Sequence, residues 1–243
     1  MSLTNILKST AHRPWPLPQG EWTYYQEWNK ALFLHYAVPA DILISLIPQG
    51  LELDVFENKA WVSVVVFEME KIRPRGFPAL SFLSDFYEIN VRTYVKKGDK
   101  SGVYFLNIEA QKALSAFISQ KLSGLPYEKS TISASFIADA TSIKSLNIRK
   151  GFELETEFQI GKRLNAKTAL EFWLTERYCL YLEKGGRLFR YEIHHEEWEL
   201  SEVIMKCLKV KYKIQQLEIG SKEPDLIHYS KGIRVLAWKR SCC

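Results

Sequence analysis

The chain has 243 residues, 47% of them apolar and 25% charged, a composition ordinary for a soluble globular protein. Its formal net charge of +5 is mild, and its Lys and Arg are interspersed with Asp and Glu. With no RNA-binding sheet motif or helix-turn-helix pattern, nothing marks a nucleic-acid binder. No apolar run approaches the roughly 20 residues needed to cross a bilayer. The start, MSLTNILKSTAHRPWP, lacks a long apolar core and a small-residue cleavage site. The sequence therefore reads as cytoplasmic, without a membrane or nucleic-acid partner; homo-oligomers stay open.

In chain order, residues 1–27 form an arm rich in Pro and Trp, too broken for a sheet interior. Residues 28–243 read as one domain, since no repeat or low-complexity linker divides them. Trp28 to Val38 is a strand, and Pro39 opens a short helix whose Ile42, Leu43 and Leu46 share one stripe. Leu51 to Phe56 alternates as a strand. Ala60 to Glu68 is apolar almost throughout, as suits a strand covered on both faces. RPRGFPALSFLSD then reads as a long loop, whose Phe77, Leu80, Phe82 and Leu83 are candidate lid or pocket-wall residues.

The stretch from Phe86 to Lys129 is the most informative. FYEINVRTYV alternates, with Tyr87, Ile89, Val91 and Val95 on one face and Glu88, Asn90, Arg92 and Tyr94 on the other. One face packs; the other carries an acid, an amide, a guanidinium and a phenol in a row. A Lys-Lys-Gly-Asp turn, the strand GVYFLNIEA and a helix over Ala110 to Leu122 follow. Next come a meander from SASFIADATSIKS onward and a short helix at Thr168 to Thr175, with Thr168 or Asn165 as cap. A hairpin turns at Gly185-Gly186, and a last pair of strands lies around Ser230-Lys231-Gly232. Short strands with brief helices predict a mainly β chain, a β-rich α+β fold built on a closed or strongly curved antiparallel sheet.

Chemistry-bearing motifs are few. His194-His195-Glu196-Glu197 lies on a strand, where neighbours point to opposite faces, so at most two of the four could share a metal. No metal site is expected. GxSxG, GxxxxGK[ST] and GxGxxG are absent, so no cofactor is implied either. Arg177 in Thr-Glu-Arg-Tyr reads as an ion pair or a helix carbonyl cap, or as a clamp for a substrate carboxylate. The four cysteines make neither a CxxC pair nor a disulfide framework.

WNKALFLHYAVPADILISLIPQGLELD, KAWVSVVVFEM, RPRGFPAL, FYEINVRTYV, SGLPY, LTERYCLY and HYSKGIRV together resemble the uncharacterised bacterial YqjF-like family. That family is in turn similar to acetoacetate decarboxylase, which implies a β-cone or barrel with an enclosed central pocket. The decarboxylase carries a Schiff-base lysine, and a neighbouring lysine that depresses its pKa, after a proline. The matching place here follows Pro126 and holds Tyr127 and Glu128, so both lysines are missing. A pocket glutamate of the decarboxylase falls on Glu88, and a decarboxylase arginine falls near Asn29. Neither Tyr nor Glu forms an imine, so the resemblance transfers the fold and not the mechanism.

Three functions follow as expectations. The first is a binding protein whose central pocket takes a small organic acid or apolar carbonyl compound, with Asn90, Tyr94, Arg177, Phe77 and Phe82 contributing. The second is a lyase- or isomerase-type enzyme using Glu88 as base, Tyr127 or Tyr94 as proton donor and Arg92 as anchor. The third is a scaffold in which the polar row is an internal network.

Overall fold

The computed structural model describes residues 3–111, 125, 127–137 and 140–243. Among these, fifteen strands join into one sheet. Seven of them close into a circuit: β1 (Tyr24–Val38), β3 (Ala60–Pro74), β4 (Phe86–Lys97), β5 (Lys100–Ala110), β10 (Cys179–Lys184), β11 (Arg187–His195) and β14 (Leu226–Ala237). β14 pairs with both β1 and β11, which completes the barrel. Six of these contacts are antiparallel, and β10 runs parallel to β5. A ring with an odd number of strands cannot close through antiparallel pairs alone, so one parallel contact is a topological necessity. A purely antiparallel sheet is thereby corrected, and the short β6 (Tyr127–Lys129) adds a second parallel pairing on β5.

The remaining strands form a wing. β7 (Thr131–Ile137), β8 (Ala140–Asn147), β9 (Phe152–Arg163) and β12 (Ser201–Ile214) make an antiparallel meander, hinged to the barrel where Ser201 pairs with Tyr229. β13 (Leu217–Ile219) folds back on β12. The wing packs on the outer faces of β1, β3 and β4, where Leu32, Leu34, Val62, Val64, Ile89 and Val91 meet Ile143, Leu154 and Phe158. β3 therefore has protein on both sides, which is why Ala60 to Phe67 is apolar but for Ser63 and buried without alternation. Each such side chain stabilises the fold by about 1.5–3 kcal/mol relative to exposure.

Bulges set which residues face inward. The β1–β3 register shifts between Asn29 and Leu32, and Lys30 takes a left-handed φ of 52°. Inward parity changes across that point, with Tyr24, Gln26 and Trp28 facing the interior before it and Phe33 after it. Opposite lies Gly232 at φ 136°, where a Cβ would stand 2.6 Å from the Trp28 carbonyl oxygen. Ser230-Lys231-Gly232 is consequently a bend inside the single strand β14, not a turn between two strands. Glycine here serves close backbone approach as well as reversal.

Other elements differ at their edges from the sequence reading. β1 starts at Tyr24, inside the expected arm, and of the Leu51–Phe56 segment Glu52–Leu53 (β2) joins the sheet, while Phe56 bridges Lys59 across the turn that Glu57 and Asn58 make with positive φ. The proline-rich stretch contributes the end of β3 and a short helix, α3 (Ser81–Ser84). Before β1, α1 (Leu3–Lys8) and the segment after it lie along β11: Arg13 Nη1 donates to the Ile193 carbonyl at 2.6 Å and Trp15 Nε1 to Glu192 at 3.2 Å. α2 (Ala40–Ile44) follows Pro39 and buries Leu43. α4 (Ala169–Thr175) opens on a capping box in which Thr168 and Glu171 satisfy each other's backbone N–H groups. Of the expected helix at Ala110 to Leu122, Ala110 ends β5 and residues 112–122 lie outside the described residues. No helix among the described residues is long and apolar enough to cross a membrane.

Candidate functional site

The barrel interior contains a cavity of about 320 Å³. β4 contributes Glu88, Asn90 and Arg92, pleated inward in that order and registered opposite Phe67, Val65 and Ser63 of β3. At about 3.3 Å per residue, Glu88 and Arg92 are separated by roughly 13 Å of strand. All three side chains are buried. The polar face of FYEINVRTYV is thus an interior face, and the charges on it need partners.

Glu88 finds its partners in Tyr127 and Asn90. The Tyr127 hydroxyl donates to Glu88 Oε2 at 2.8 Å, and Asn90 Nδ2 donates to Oε1 at 3.2 Å. Burial pushes the carboxyl up to about 7, while the two hydrogen bonds pull the other way. Desolvation and the neighbouring carboxylate hold the Tyr127 phenol well above its ordinary range. Tyr127 reaches this position because β6 runs parallel to β5 and sets residue 127 beside Ile108. The position at which the resemblance implies a lysine therefore holds a hydrogen-bond donor to the pocket carboxyl. Glu128, in the second lysine place, ion-pairs with Arg149 at 2.8 Å and does not line the cavity. Lys129 is exposed.

At the other end of the row stand two guanidinium groups. Arg177 Nη1 donates to Asp54 Oδ2 at 2.6 Å and its Nε to the Trp173 carbonyl at 2.6 Å. Arg92 Nη2 donates to the Leu174 carbonyl at 3.4 Å. Both cations thus sit on the C-terminal carbonyls of α4, where unpaired C=O groups and the helix dipole favour positive charge. Burial lowers the Arg177 guanidinium from its ordinary value, and Asp54 opposes that shift. The two expected roles of Arg177, ion pair and carbonyl cap, coexist, and its side chain also lines the cavity. Arg92 has no ion pair among the described residues. Arg92 Nε and Arg177 Nη2 remain buried donors without a hydrogen-bond partner there, as does the acceptor Asn90 Oδ1. Two positive groups and one carboxylate leave this end of the cavity with a surplus positive charge.

The other expected residues separate. Tyr94 is fully buried but is not part of the cavity wall: its hydroxyl hydrogen-bonds with Ser63 Oγ at 2.5 Å and donates to the Leu174 carbonyl at 3.1 Å, and its ring packs on Trp173. Phe77 is 66% exposed and points away, and from its loop Pro78 and Leu80 reach the cavity. The Phe82 side chain lies outside what is described. Asn29, near which the resemblance sets a decarboxylase arginine, donates to Glu70 and does not line the cavity.

Sequence reasoning missed Trp28, His195 and Trp198, all on the wall. The bulge at Lys30 hides the inward parity of Trp28. His195 is read with its neighbours as a metal question, whereas its Nδ1 pairs with the Glu196 carbonyl at 2.7 Å and its ring stacks on Tyr178. Burial lowers its pKa, opposed by Glu176. His194 points to the other side and meets the Ile6 carbonyl at 2.8 Å. Among the described residues no cluster of three or more metal-ligating side chains occurs.

Comparison with known proteins agrees with this architecture. Acetoacetate decarboxylase from Legionella pneumophila superposes with a TM-score of 0.63 at 12% identity, covering 96% of this chain and 93% of that one. The enduracididine biosynthesis enzyme MppR, complexed with pyruvate, gives 0.62 at 9% identity, covering 94% and 93%. At such identities the likeness concerns the fold alone. In sequence, the uncharacterized protein YqjF of Bacillus subtilis (strain 168) is 34% identical over 229 residues, 91% of this chain and 93% of that protein. The family of uncharacterized conserved proteins termed DUF2071 matches residues 25–234. The chain belongs to that family, on an acetoacetate-decarboxylase-like β-barrel.

Proposed function

We propose that this protein binds a small organic acid or carbonyl compound inside the barrel, without forming a Schiff base. The observation that carries this reading is Arg92, a buried guanidinium with no ion pair among the described residues, facing a cavity whose walls are mostly apolar. Burying a charge without a counter-charge is costly, and an anionic ligand supplies one in a geometry that guanidinium groups suit. Arg177 Nη2 offers a second donor nearby, and the Tyr127–Glu88 pair offers a neutral carboxyl or a phenol for a carbonyl oxygen. MppR, a fold neighbour, is seen with pyruvate, a 2-oxo acid of this class. Calorimetry with pyruvate, acetoacetate and simple carboxylates near pH 6 tests the reading. Binding that weakens at least tenfold in Arg92→Gln supports it, whereas no binding by any of these acids overturns it and leaves the polar row as a structural network.

A second reading makes Glu88 a general base, and the observation favouring it is a carboxyl held near 7, where proton transfer in both directions is feasible. The proton would pass from the carbon next to a carbonyl to Glu88, whose protonated carboxyl could then donate to the Tyr127 oxygen and free the Tyr127 hydroxyl to donate to the enolate oxygen. In heavy water, loss of the pyruvate methyl signal by proton NMR should then require both Glu88 and the protein. Exchange no faster than in buffer, or unaltered in Glu88→Gln, removes this reading.

A further inference from the structure

The cavity is not uniform along its length, and its gradient restricts the ligand more than its volume does. The β3–β4 register gives the order of the walls. Arg92 lies level with Ser63, Asn90 with Val65, Glu88 with Phe67, and Phe86 with Met69. Beyond Met69 the wall continues with Ile72, Pro78 and Leu80. From the Ser63 row to the Met69 row is six residues of strand, roughly 20 Å. The positive end is closed by the carbonyls of α4, which hold Arg92 and Arg177. Past Glu88 the lining side chains of β3 and its loop are apolar except for Arg73, and Trp28 packs beside Phe67 and stacks on Trp198. The His195 ring stands beside them, 6.4 Å from Trp28 and 5.9 Å from Trp198 between centroids, and Tyr24, Gln26 and Arg73 add polar groups at the far end of the same strands.

Resting on the anion-binding reading above, we propose that the ligand is an amphiphile: a monocarboxylate anchored at Arg92 and Arg177, with an unbranched apolar chain running past Glu88 along Phe67, Met69 and Ile72. A short acid would satisfy the guanidinium groups and leave the apolar walls beyond Glu88 unfilled. A chain fills them and gains the transfer free energy of each buried methylene. The Glu88 carboxyl does not obstruct such a chain, because both of its oxygens are turned to Tyr127 and Asn90.

The test is a homologous series of acetate, butyrate, hexanoate, octanoate and decanoate, titrated into the full chain at pH 6 by calorimetry and tryptophan fluorescence. Affinity should rise roughly fourfold per methylene between butyrate and octanoate. Octanamide, which has the chain without the charge, should bind at least tenfold more weakly than octanoate. Met69→Glu should erase most of the difference between octanoate and butyrate. If every acid binds with one affinity, the anion site stands and the apolar channel is refuted. If no acid of any length binds, both this inference and the reading it rests on fail. A loss of octanoate binding in Arg73→Gln but not in Arg92→Gln would reverse the ligand and overturn the proposed orientation.

Discussion

Glu88 decides most at the scale of single residues, because its carboxyl is raised from 4.5 to about 7 by burial. The sign of its contribution to stability follows from linkage. A carboxyl that holds its proton more tightly when folded stabilises the protein below the unfolded value near 4.5, relative to high pH, and that contribution is lost as pH rises through about 7. The shift corresponds to roughly 3 kcal/mol between the two limits, at 1.36 kcal/mol per unit. Glu88→Gln keeps an acceptor for Tyr127 and carries no titratable proton. Its urea stability should be flatter than the native protein's between pH 5 and 8 and should exceed it at pH 8. Tyr127→Phe removes a hydrogen bond that lowers the Glu88 value, so the loss of stability should move to higher pH. A native protein with pH-independent stability over this range would show that Glu88 is solvated.

Among the elements, α4 has an influence out of proportion to its seven residues. Its capping box fixes where it starts, and its last carbonyls hold Arg92, Arg177 and Tyr94. Thr168→Ala should cost about 1 kcal/mol of stability. If the helix positions the guanidinium groups, the same change should also weaken carboxylate binding while every cavity side chain remains present. Arg177→Lys should not substitute, since an ammonium cannot reproduce the forked contact with Asp54 and Trp173 while lying flat on the indole. The helix and its cap were legible in TALEFWLT, and the inward row in FYEINVRTYV, because both depend on local periodicity. The partner of Arg177 was not legible, since Asp54 arrives through the β2–β4 pairing, more than a hundred residues away in sequence. Nor was the inward turn of Trp28, which depends on a one-residue bulge that pattern reading cannot place. Likewise Phe77 and Leu80 look alike in RPRGFPALSFLSD, and only the turn after Pro74 sends one outward and the other onto the cavity.

The barrel as a whole separates framework from chemistry. A closed ring of seven strands, with one parallel seam, encloses an interior whatever residues line it, which is why identity near 10% coexists with superposition over nearly the full chain. In this ring the position implied for an imine-forming lysine holds Tyr127, whose hydroxyl is committed to Glu88. A Schiff base needs an unprotonated amine within reach of the ligand carbonyl, and among the described residues that line the cavity none is a lysine. Lys129 is two residues further along β6, on the strand face of Tyr127, but it is exposed and does not line the cavity. Treatment with borohydride in the presence of pyruvate or acetoacetate should therefore leave the intact mass of the chain unchanged, even at ligand concentrations that saturate binding. Replacing Tyr127 by lysine puts an amine beside a carboxyl held near 7, and the ion pair they form would keep that amine protonated. Tyr127→Lys alone should consequently fail to trap either acid at neutral pH, whereas combining it with Glu88→Gln removes the counter-charge and should allow some adduct. A mass increase in the native protein, mapped to Lys129 or to any other lysine, would mean that the barrel retains imine chemistry at a shifted position.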